Sequence, residues 1–70
     1  MSARELAEDR ETVASLDAAV ARFKALLGSD DVDALLHART DVAEAMLRCH
    51  VRAAKLRAAR ARAAAEEGRA

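Results

Sequence analysis

Gly28 is the one strong helix breaker in the first 67 residues of this chain: proline is absent, and the second of its two glycines lies at position 68. Turns draw heavily on Gly and Pro, so two breaker-free stretches of this length leave no room for the repeated reversals of a β architecture. The expected class is all-α, with two long helices meeting at Gly28. Ser2, with Glu5 three residues on, forms a capping-box pattern that opens a first helix near Ala3. Lys24 stands where a cation favours a helix C-terminus, and Gly28 supplies the left-handed residue that often ends one. Ser29 or Asp30 is placed to cap a second helix, and Asp30, Asp31 and Asp33 put negative charge at its positive end. The chain is read as one domain, 1–70, made of helix 3–27, turn 28–30 and helix 31–67, with a single helix kinked at Gly28 as the other reading.

Apolar spacing says how the two helices meet. Leu6, Val13, Leu16, Val20, Phe23 and Leu27 recur at steps of three, four and seven, which places them on one stripe of the first helix. Val32, Leu35, Arg39, Val42, Met46, Cys49, Ala53 and Leu56 do the same on the second. An antiparallel two-helix hairpin, coiled-coil-like, pairs Phe23 with Leu35, Leu16 with Val42, Val13 with Met46 and Leu6 with Ala53. Asp9 and Arg39 interrupt the stripes. Each is expected to lean to the rim and meet an opposite charge, Arg48 or Arg52 for Asp9 and Asp17 for Arg39. Because the second helix is the longer by about 18 Å at 1.5 Å per residue, the stretch from Arg57 onward has no partner within the chain. That stretch is rich in Ala and Arg, with high helix propensity and no large side chain to bury.

Twenty of the residues are Ala, which leaves seventeen larger apolar side chains for the whole molecule. So thin a core makes a lone hairpin marginal and calls for completion into a bundle by oligomerisation or a partner. A second apolar stripe on the second helix, one residue round from the first, shows where: Leu36, Ala43, Leu47, Val51, Ala54, Ala58, Ala61 and Ala65. A hairpin uses one stripe per helix, so a surplus stripe implies another helical neighbour, with His50 at its rim. The plainer reading is that Ala is simply the best helix former. On the docking reading the chain is a non-catalytic protein–protein interaction module, an adaptor, assembly factor or co-chaperone. A self-assembling homodimeric four-helix bundle is the alternative that buries the same surface against itself.

Charge is balanced overall and separated along the chain. Residues 1–44 hold ten acids and five bases, and residues 45–70 hold seven bases and two acids. Antiparallel folding brings the acidic start beside the basic second half, so the separation is first a pairing signal. Within the basic half, Arg57, Arg60 and Arg62 are the residues a nucleic-acid reading would use to contact phosphates. They are spread around the helix and no aromatic is interleaved for stacking, which favours solvated charges over nucleic acid. No metal site and no cofactor is expected. His37, Asp41 and Glu44 share a face at i, i+4 and i+7, a triplet that charged helices produce often, and Cys49 and His50 diverge by about 100°. Catalysis has no Gly-rich phosphate loop and no His with both a nucleophile and an orienting acid, so no enzyme is expected. A single cysteine, no apolar leader and charges interrupting every long stretch point to a cytoplasmic, reducing setting without a membrane segment.

The opening Glu11-Thr12-Val13, the turn from Gly28 to Asp31, and the run Glu44-Ala45-Met46-Leu47 followed by His50-Val51 resemble the small helical-hairpin co-chaperones that hold needle subunits of bacterial type III secretion systems before assembly. The resemblance covers residues 6–56, and the Arg/Ala-rich extension beyond Leu56 departs from it. It implies a heterodimeric chaperone role, with the second stripe facing a larger helical partner.

Overall fold

The computed structural model describes residues 2–69 and consists of two α-helices, α1 (Ala3–Leu26) and α2 (Val32–Arg69), folded into an antiparallel hairpin. At 24 and 38 residues they are about 36 and 57 Å long. The molecule measures 62 × 19 × 12 Å, so α2 sets its length and the final third of α2 projects past the start of α1.

Local chemistry accounts for each end. Ser2 Oγ accepts the Glu5 N–H at 3.2 Å and opens α1. At the other end Leu27 leaves the helix in extended conformation, Gly28 takes φ +89°, and the Ser29 N–H returns to the Leu26 carbonyl at 3.0 Å. The cap of α2 falls on Asp31, one residue beyond the expected pair: its Oδ1 accepts the Ala34 N–H at 3.0 Å. Ser29 serves the turn instead, with its hydroxyl accepting the Asp31 N–H at 3.1 Å.

The contact between the helices differs from the expected one. Its enclosed residues are three alanines, Ala19, Ala38 and Ala45, flanked by half-buried Leu16, Val20, Phe23, Leu35, Val42, Cys49, Ala53 and Leu56. Asp9 stands opposite Arg52, Thr12 opposite Cys49 and Arg22 opposite Asp41, a register about three residues from the one that matched Val13 with Met46. Leu6, Val13, Leu27, Val32 and Met46, all placed in the seam by periodicity, are exposed. Arg39 is exposed too, and the described ion pairs do not join it to Asp17. The physical reason is the small seam. Alanines at Ala19, Ala38 and Ala45 let the backbones approach, and the same rotation brings Arg22, Arg48 and Arg52 within reach of acceptors on the facing helix. Large side chains are displaced to one flank in consequence.

Candidate interaction surface

Arg52 organises the open end of the hairpin. Its Nε donates to Asp9 Oδ1, its Nη1 lies 3.3 Å from Glu8 Oε2, and its Nη2 donates to the Glu5 carbonyl at 3.2 Å. Of the two partners expected for Asp9 it is Arg52 that takes the role, while Arg48 Nη2 donates to Ser15 Oγ at 3.2 Å. The hydrogen bond to Asp9 is the main reason the Arg52 pKa is raised above its usual value; partial desolvation opposes this, and the charges of Asp9, Glu8 and Glu5 add to it. Toward the turn, Arg22 Nη1 meets Asp41 Oδ2 at 3.1 Å. Thr12 accommodates its place in the helix by donating to the Glu8 carbonyl at 2.8 Å.

The second stripe of α2 is left exposed by α1. Leu47 is 62 % exposed, Leu36 53 % and Val51 46 %, and Ala43, His50, Ala54, Ala58 and Ala61 are exposed as well. Since the contact with α1 centres on Ala38 and Ala45, this stripe lies on nearly the opposite side of α2, about 175° round at 100° per residue, where periodicity alone had placed it one residue round. It forms a continuous seam with a shallow groove at each end. One groove is lined by Leu36, Arg39, Thr40, Ala43, Glu44 and Leu47; the other lies between the helices, where Leu47, Arg48, Val51, Arg52 and Lys55 of α2 face Glu8, Glu11, Thr12 and Ser15 of α1. Apolar floor and mixed-charge rim are what a helix docking lengthwise requires.

Other candidates are placed differently. Arg57, Arg60 and Arg62 are exposed on the projecting part of α2; Arg57 and Arg60 share one side and Arg62 lies on nearly the opposite one, so the three do not form a single phosphate-tracking line. Asp41 is paired with Arg22, and among the described residues no three of His, Cys, Asp and Glu converge as metal ligands. Cys49 is half-buried, its thiol 3.9 Å from the Thr12 carbonyl, while the adjacent His50 faces outward. Among the described residues no helix is long and apolar enough to cross a membrane.

Sequence reasoning missed a second exposed set, Leu6, Val13, Leu27, Val32 and Met46, because it had used them as the seam. The signal for the true seam was the heptad spacing of small residues, Ala38 with Ala45 and Thr12 with Ala19. No protein-family model, curated protein or solved structure matches the chain.

Proposed function

We propose that this protein is a non-catalytic helical-hairpin interaction module that docks on other helices through the outer seam of α2. One observation carries the proposal: Leu36, Leu47 and Val51 occupy one stripe of a long helix on the side its hairpin mate leaves open. Burying each such side chain contributes about 1.5 to 3 kcal/mol, and the alanines between them let a partner helix come close. Charged residues at the rim, Glu44, Arg48 and Lys55, select orientation more than they add affinity. Adaptor, assembly factor and co-chaperone are forms of this role, the last being the one the resemblance to needle-subunit co-chaperones implies. The test is capture of a partner from native lysate by the wild-type chain and by a Leu47→Glu, Val51→Glu variant. Loss of capture with helical circular dichroism retained is the expected result. Undiminished capture by the variant sinks the proposal.

A further inference from the structure

The two flanks of the hairpin differ in kind. Arg22–Asp41, Arg48–Ser15 and Arg52–Glu8 lie along one edge of the helix–helix contact. Leu6 and Val13 on α1, with Val32 and Met46 on α2, lie along the other edge, and half-buried Leu16, Val20, Leu35 and Val42 form the floor between them. On each helix the stripe of large apolar side chains is therefore turned about 60° away from its neighbour, and both are turned toward the same flank. A hairpin that is complete alone aims its stripes at each other. In a four-helix bundle every helix touches two neighbours, and its stripe points between them at the bundle axis.

Surface area says how much is left uncovered. The molecule exposes 5656 Å². A folded monomer of its 7.5 kDa is expected to expose about 4,250 Å²; the surplus of about 1,400 Å², which the flank shares with the outer stripe and the projecting part of α2, leaves room for the roughly 800 Å² that each partner of a standard interface gives up. Charge says what covers it. The turn carries Asp30 and Asp31, whereas the projecting part of α2 carries Arg57 and Arg60 on the same side as Met46.

We infer that this flank is covered by a second copy of the chain, stacked isologously with its turn at the opposite end. The two-fold axis passes near Val13 and Met46. Arg60 of each copy then comes level with Asp30 and Asp31 of the other to within about 3 Å along the axis, and Arg57 lies about one helical turn short of them. Stacking with both turns at one end brings Arg60 against Arg60 and Asp30 against Asp30, so charge opposes it. This goes beyond the docking function and uses a different face, so the two ideas fail separately.

Sedimentation equilibrium of the purified chain reads the mass. The expected result is twice 7.5 kDa for the wild type and for Leu47→Glu, Val51→Glu, and a monomer for Val13→Glu, Met46→Glu. Arg60→Glu should weaken dimerisation about tenfold, and Asp30→Lys added to the same chain should restore it, a readout that stands even where the double glutamate variant unfolds. Spin labels on Ser29→Cys in a Cys49→Ala background should lie about 50 Å apart for turns at opposite ends. A monomeric wild type, a dimer lost with Leu47→Glu, Val51→Glu but kept with Val13→Glu, Met46→Glu, failure of Asp30→Lys to restore the Arg60→Glu chain, or labels within about 25 Å would each overturn the inference.

Discussion

Gly28 is the residue whose backbone the hairpin cannot do without. At φ +89° it occupies a region that side chains with a Cβ rarely adopt, although nothing lies within 4 Å of where a Cβ would stand. The cost of Gly28→Ala is thus conformational and not steric: about 1 kcal/mol, seen as a lower urea midpoint with an unchanged slope. Arg52 acts through charge. Its raised pKa means that its contribution is fully present below the ordinary arginine value of the unfolded chain and is lost only as pH climbs through the still higher folded value. Titration of Arg52 therefore adds no pH dependence near neutrality. Arg52→Gln should lower stability, and the gap from the wild type should stay constant from about pH 6 to about pH 9 in urea titrations. A gap that widens or closes across that window would place the contribution on some other titrating group.

At the scale of the helices, the contact is an alanine seam edged by ion pairs. Ala45 is wholly enclosed, so Ala45→Leu should cost about 2 kcal/mol by overpacking, while Val13→Leu, on the exposed flank, should change stability by less than about 0.5 kcal/mol when measured at a dilution where the chain is monomeric. Those two numbers separate the observed register from one that buries Val13 against Met46. Both helices, their antiparallel course and the greater length of the second were legible in the sequence, because Ser2, Gly28 and the breaker-free stretches act locally. Rotation about the helix axes was not legible. Periodicity ranks faces by the size of their apolar side chains, and the closest approach was decided instead by small residues and by where Arg52 finds Asp9. The stripe of Leu36, Leu47 and Val51 is exposed on α2, and its distance round the helix from the seam depended on that same rotation. Beyond Leu56 every described residue is exposed, so amides from about 60 onward should exchange with solvent at least about tenfold faster than those between Ala38 and Ala45.

For the molecule as a whole, shape and charge decide between ways of assembling. A radius of gyration of 17.2 Å compares with about 11 Å for a compact chain of 70 residues, so the hairpin is a rod with one long flank to offer. Rods that pair side by side thicken, and rods that pair by their ends lengthen. With the axis near Met46, the far end of α2 lies about 35 Å from it, so the laterally stacked dimer should reach about 70 Å, little more than the 62 Å of one copy. Small-angle scattering should therefore show a cross-section about twice that of the monomeric Val13→Glu, Met46→Glu variant at nearly the same maximum dimension. Added salt should weaken this dimer only a few-fold, because the Arg60 and Asp30 contacts at its ends are screened over about 8 Å at physiological ionic strength while the apolar flank at its centre is indifferent to ions. A particle near twice the monomer length, or one that dissociates fully as salt is raised, would mean that the charged halves and not Val13 and Met46 hold the copies together.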